Sequence, residues 1–291
     1  MSKVKQRRTE SIAAAEASLF GRLVRRKGEH DLDELAVSFY DYESSVQYCY
    51  NADVWFHAAS TMKLAVLLGV FRQIERGQLT LESPVHIRNR FISIVNREPF
   101  SIEVSRDADA SVYKHLGKTL PVRELAYWMI TTSSNLATNL LVEIVGVEAV
   151  QMALDELEIP GVKVLRGVED QAAFEAGLNN EVTANGLLRL LRVIAEKKAF
   201  SREASEQMLE ILLEQRYKSG IPAGLPEDAK VAHKTGNIST VHHDAGIVFL
   251  EDRKPYVLVI LTRFSPSVGR GTAVAEISRE VHSALAELNH G

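Results

Sequence analysis

The chain has 291 residues, 46% hydrophobic and 25% charged, an ordinary balance for a folded globular protein that excludes disordered and collagen-like chains. A chain of this length can bury a large core, in one large domain or two ordinary ones. With 34 Lys plus Arg against 38 Asp plus Glu, the net charge is −4, so electrostatics offers no reason to expect nucleic acid or an anionic membrane as the main partner.

In chain order, the N-terminus is basic, but its apolar stretch over 12–20 is interrupted by Glu16 and Ser18 and followed at once by Arg22, Arg25, Arg26 and Lys27. It does not read as a secretory signal, and a cytoplasmic location is expected. Ile12, Leu19 and Leu23 fall on one side of a helix, which predicts an amphipathic helix docked on the body of the protein. Aromatic and β-branched residues predict strands over 35–42 and 45–50, with a turn at Glu43 and Ser44. The stretch 60–76 is apolar nearly all round and predicts a buried helix ended by Gly77. Further helices are expected over 121–132, opened by Pro121, and over 135–145, 148–157, 183–198 and 201–214, with a short one over 169–176. The period then switches. Strands are predicted over 231–234, 246–250 and 256–262, and a last helix over 272–288. No run approaches the roughly 18 apolar residues of a spanning helix. Cys49 is the only cysteine, so no internal disulfide forms, which fits a reducing compartment.

Strands at both ends and helices between them predict an α+β fold. One antiparallel sheet is built from both chain ends and flanked by helices, with an all-helical domain inserted. The expected division is a sheet domain of 1–57 and 215–291, a helical domain of 58–214, and an active-site cleft between them.

Three short motifs stand on these elements. Ser60-Thr61-Met62-Lys63 is an S-x-x-K tetrad. The pattern also occurs at Ser2–Lys5 and Ser111–Lys114, but only Ser60 opens a buried helix. Helical spacing puts Ser60 and Lys63 on one face. Free N–H groups of a first turn favour a developing oxyanion, while burial and the same field push the lysine pKa down, as a base for serine requires. Taken alone, the tetrad reads equally as a serine N-cap and a snorkelling lysine. Ser133-Ser134-Asn135 lies between two helices, and Lys234-Thr235-Gly236 ends a predicted strand. Lys and Thr there offer a charge and a hydroxyl to a carboxylate, and Gly permits a turn or a close approach.

Together and in this order, the three motifs resemble the S-x-x-K, S-D-N and K-T-G signature of class A β-lactamases and penicillin-binding proteins. The flanking TTSSNLATNLL and HHDAGIVFL extend that resemblance from about Leu35 to the C-terminus. It implies a β-lactamase/transpeptidase-like fold and a serine hydrolase acting through an acyl-enzyme on Ser60. Lys63 is implied as base or proton relay, Ser133 as proton donor to the leaving nitrogen, and Asn135 as holder of the substrate amide. Lys234 and Thr235 are implied for the substrate carboxylate, and the N–H groups of Ser60 and Asn237 for the oxyanion. The implied partner is a small amide or ester, a β-lactam above all, handled by a monomer without metal or cofactor; hydrolysis of such antibiotics is the implied role. A related esterase or D-alanyl peptidase, and a β-lactam-binding protein that does not release its acyl group, stay open as alternatives.

Three departures from the family pattern stand out. Ser134 replaces the usual Asp. The family's loop carries E-x-x-L-N, whose Glu activates water; the corresponding stretch VLRGVEDQAAFEAGLNNEVTANGLL is read as lacking that pentad, and the candidate is Glu169, three residues after Arg166 and one off the family spacing, with Asp170 as a helix cap instead. Where an arginine is common after K-T-G, this chain has His242 and His243. Trp55, Phe56 and His57 are expected in the core, with the cleft wall as the alternative, and Trp128 and Met129 are expected in packing rather than at the substrate.

Overall fold

A computed structural model describes residues 3–269 and 271–290, and the side chains of 12–269 and 271–287. Five strands form an antiparallel sheet: β1 (Leu32–Asp41), β2 (Gln47–Tyr50), β3 (Lys230–Ile238), β4 (Val241–Leu250) and β5 (Arg253–Phe264). Their order across the sheet is β3-β4-β5-β1-β2. The two ends of the chain meet where β1 pairs with β5, for example Val37 with Ile260 and Phe39 with Leu258.

Helix α1 (Lys3–Glu29) precedes the sheet and α9 (Ala273–His290) follows it. Between β2 and β3 lie α2 (Lys63–Glu75), α3 (Val122–Thr131), α4 (Asn135–Val145), α5 (Val147–Glu156), α6 (Gln171–Glu175), α7 (Ala184–Ala195) and α8 (Arg202–Leu213). This inserted block also carries short ladders that no periodicity announces, such as Val162–Lys163 with Glu181–Val182. A two-residue strand is below the length at which alternation can be read.

The sheet is buried on both faces, and strict alternation assigns each residue to one of them. Ala36, Val257, Val259 and Leu261 join a core with the inserted helices. Leu35, Val37, Leu258 and Ile260 join a second core with Leu19 and Leu23 of α1 and Val274, Ile277 and Val281 of α9. The first helix therefore docks as its apolar stripe predicts. Arg26 ties it to α9 through Glu276 at 2.9 Å and Glu280 at 2.7 Å. Among the described residues no single helix is long and apolar enough to cross a membrane.

Two boundaries that matter for function differ from expectation. Helix α2 begins at Lys63, and Ala59–Met62 is a tighter 3-10 turn before it. The K-T-G triplet lies inside β3 rather than at its end, because β4 continues to pair with it: Lys234 with Ala245, Thr235 with Asp244, Gly236 with His243 and Asn237 with His242. Gly236 serves a close approach and not a turn. A Cβ there would sit 3.0 Å from Thr61 Cγ2 and 3.2 Å from the Ala58 carbonyl, so glycine lets the sheet press against the turn that carries Ser60.

Candidate active site

The serine turn is held from several sides. Ala58 N–H donates to Asn180 O at 2.9 Å, and Thr61 N–H to Ala58 O at 3.0 Å. Thr61 Oγ1 reaches the same Ala58 carbonyl at 2.6 Å, and Ala59 N–H donates to His57 Nδ1 at 3.1 Å. Ala59 has φ +45°, a left-handed conformation that costs a residue with a Cβ about 1–3 kcal/mol and persists only where its surroundings overdetermine it. Ser60 follows directly and lines a cleft of about 530 Å³. Neither the turn nor α2 is capped by a side chain, so Ser60 does not serve as an N-cap. Among the described residues nothing hydrogen-bonds its hydroxyl, and Lys63 turns to other partners.

Lys63 is fully buried. Its Nζ donates to Ser133 O at 2.7 Å, Ser133 Oγ at 3.2 Å and Asn135 Oδ1 at 2.8 Å. Burial pulls its pKa down to about 7, against the opposing charges of Asp107 and Glu169. Lys234, equally buried, donates to Ser133 Oγ at 3.0 Å and to Thr235 O at 2.9 Å. Burial first, and then the neighbouring Lys63, hold its pKa well below the usual lysine range. Both amines thus meet on one hydroxyl. Ser133 has φ +58°, and in that conformation both its carbonyl and its hydroxyl reach Lys63. An ammonium has three donors and no acceptor, whereas a neutral amine can take a proton from a hydroxyl. The lowered pKa of Lys63 puts both forms within reach near neutrality.

Asn135 opens α4, and Ser134 caps that helix by accepting from Ala137 N–H at 3.3 Å. A carboxylate supports this helix end, but it comes from elsewhere in the chain. Asp107 accepts from Asn135 N–H at 2.7 Å, Leu136 N–H at 2.9 Å and Tyr113 Oη at 3.0 Å. Nothing in the local sequence marks Asp107, 28 residues before Asn135; only the folded loop reveals it.

The opposite wall is the segment 165–180, tied at its base by the pairs Val162–Val182 and Lys163–Glu181. Arg166, largely buried, donates to Leu178 O at 2.8 Å, and Asn180 Oδ1 accepts from Leu165 N–H at 2.8 Å. Asn139 of α4 grips Val168 twice, through Val168 N–H at 2.7 Å and Val168 O at 2.9 Å. The neighbouring Glu169 has φ +61° and lines the cleft with Ser60, Asn135 and Asn237. Its carboxylate pairs with Arg106 at 3.0 Å. Asp170 caps α6, accepting from Ala173 N–H at 3.1 Å. Contrary to the reading that the stretch lacks the pentad, the letters E-x-x-L-N do occur at 175–179. Glu175 is nevertheless exposed on α6, takes a hydrogen bond from Gln171 at 2.9 Å and is absent from the cleft wall.

The remaining sequence candidates divide. Thr235 is buried in β3, and Asn237 lies on the same edge strand at the cleft. His243 does not stand in for an arginine toward a carboxylate: it is fully buried behind the cleft, donating through Nε2 to His57 O at 3.0 Å. Phe56 and Met129 are core residues. Trp55, expected there, is partly exposed with Lys163 Nζ 4.1 Å above its ring, and His57 belongs to the cleft wall. Phe56 and His57 form a two-residue strand paired with Val182 and Glu181, and on it Phe56 faces inward and His57 toward the cleft.

A serine at a strained turn, two buried lysines meeting on a second serine, and a carboxylate across the cleft define a hydrolase that uses a serine nucleophile without a histidine base. Residues 23–285 match the model of the Beta-lactamase enzyme family, and the chain belongs to that family as a class A-like serine β-lactamase. A Beta-lactamase from Bacteroides uniformis is 27% identical over 250 residues, covering 81% of each chain. A β-lactamase structure from Xanthomonas campestris has a TM-score of 0.80 at 20% identity, over 93% of this chain and 98% of that one. The L158E mutant of PBP-A, solved as an acyl-enzyme with penicillin G, has a TM-score of 0.77 at 22% identity, over 94% and 97% of the two chains.

Proposed function

We propose that this protein opens the amide of a β-lactam ring through an ester on Ser60 and then hydrolyses that ester. The observation that carries the reading is the convergence of Lys63 and Lys234 on Ser133 Oγ, at 3.2 Å and 3.0 Å, beside the cleft that Ser60 lines. Neutral Lys63 takes the Ser60 hydroxyl proton as Oγ bonds to the lactam carbonyl carbon. The N–H groups of Ser60 and Asn237 receive the oxyanion. As the C–N bond breaks, the ring nitrogen takes its proton from Ser133 Oγ, and Ser133 is reprotonated by Lys63. Asn135 holds the acyl amide, and Lys234 with Thr235 binds the substrate carboxylate. Water then attacks the ester while Glu169 takes its proton, and Ser60 recovers its hydrogen as the acid product leaves.

Glu169 makes this last step the point of division. Its ion pair with Arg106 at 3.0 Å occupies the carboxylate that water needs, which favours slow release as the second reading. Incubation with a chromogenic cephalosporin and a fluorescent penicillin separates the two. Steady colour development is expected; stoichiometric label without colour turnover overturns hydrolysis in favour of a binder.

A further inference from the structure

Two histidines that the mechanism does not use adjoin the Ser60 turn, His57 in the cleft wall and His243 buried behind it. His57 Nδ1 accepts the N–H of Ala59 at 3.1 Å, the residue before the nucleophile and the one held at φ +45°. The carbonyl of the same His57 accepts from His243 Nε2 at 3.0 Å. His243 in turn accepts the Thr262 N–H at its Nδ1, at 3.2 Å. A backbone N–H can only donate, so each Nδ1 is a lone pair and each ring carries its proton on Nε2. The tautomers follow from the bonding alone. Strands β4 and β5 therefore reach the serine turn through an unbroken chain: Thr262 N–H, the His243 ring, the His57 carbonyl, the His57 ring and Ala59 N–H.

The surroundings agree with two uncharged rings. His243 is fully buried, packed edge-on against Phe56 at 5.7 Å, and burial pushes its pKa down to about 3. His57 is lowered by its own burial and by Arg166, with Glu181 opposing. Arg166 and Glu181 belong to the cleft loop and its base, and His243 is the titratable group facing His57 from the sheet.

We infer that His57 and His243 form a positioning relay in which a neutral His57 holds the left-handed Ala59 turn, setting the Ser60 hydroxyl and its N–H for acylation. His57 touches no reacting atom; it acts through Ala59. Lys234, Thr235 and Asn135 stand on β3 and α4 rather than on that turn, so the relay governs the acylation rate more than substrate affinity. This inference rests on the assignment of Ser60 as nucleophile.

The test has two arms. In the wild-type protein, imidazole ¹⁵N NMR is expected to show His57 and His243 as neutral Nε2–H tautomers at pH 7; an Nδ1–H tautomer or a protonated ring at either position overturns the relay. In variants, single-turnover acylation by a chromogenic cephalosporin is measured over a range of substrate concentrations, which separates the acylation rate constant from the substrate dissociation constant. His57→Leu is expected to lower the acylation rate constant at least tenfold with the dissociation constant within about threefold of wild type. His57→Asn, whose side-chain oxygen can take the place of Nδ1, is expected to recover most of that loss. Equal rates for His57→Leu and wild type, or no rescue by Asn over Leu, overturn the proposal. Mass spectrometry of the wild-type adduct keeps the two assignments apart. If Ser60 is never acylated, the nucleophile assignment fails, while the tautomers still report on the relay.

Discussion

The two walls of the cleft are built differently. On one side Lys63, Ser133 and Lys234 are buried and cross-bonded, Lys63 on α2, Lys234 on β3 and Ser133 in the short connection between α3 and α4. On the other, Glu169 stands on a loop in left-handed backbone, a quarter exposed, and paired with an Arg106 that is more than half exposed. Regular elements locked by packing hold a constellation to the precision that bond formation requires. The loop that carries Glu169 is held instead by side-chain bonds to its backbone from Arg166, Asn180 and Asn139. In the proposed mechanism the first wall carries acylation and the loop wall deacylation.

The comparison can be broken most severely at the nucleophile. Ser60→Ala is expected to abolish all covalent labelling by a fluorescent penicillin, and persistent label would reveal another nucleophile. Lys63→Ala should then lower acylation by orders of magnitude in stopped-flow measurements, because members of a catalytic unit do not act additively; a near-normal rate removes Lys63 from the mechanism. Its pKa of about 7 also fixes the direction of the pH profile. The base is the deprotonated amine, so acylation should climb as pH rises through about 7, and a flat profile from pH 6 to 8 would contradict that role. On the loop wall, Glu169→Gln should leave acylation within a few-fold while the ester accumulates, seen as a stable adduct mass. Equal slowing of both steps would show that the walls are not separable. The smallest effect is expected from Asp107→Ala. Loss of two backbone acceptor contacts at the start of α4 should cost about 1–2 kcal/mol in chemical denaturation, and an unchanged midpoint would remove Asp107 as the support of that helix end.

Legibility followed the same division. The acylation residues lie on strongly periodic elements, so short motifs could be placed on a helix start and a strand. The register of β3 was less readable: hydrophobic patterning weakens after Lys234, yet cross-strand pairing carries the strand through Ile238. Residues of the loop wall were harder still. E-x-x-L-N letters at 175–179 match a pattern and miss the cleft, while Glu169 breaks the spacing and lies in it. Asp107, Asn139 and the His57–His243 pair carry no local signal, since each acts across long sequence separation on backbone groups.

By itself the sequence determined the strands at both chain ends, the buried helix behind Ser60 and the three motifs, because periodicity and residue chemistry are local properties. Only the tertiary structure decided which hydroxyl the two lysines share, which glutamate faces the nucleophile and what holds the serine turn in place. Those outcomes depend on distances between segments that the chain brings together only when it folds, and desolvation there is what lowers the pKa of both lysines.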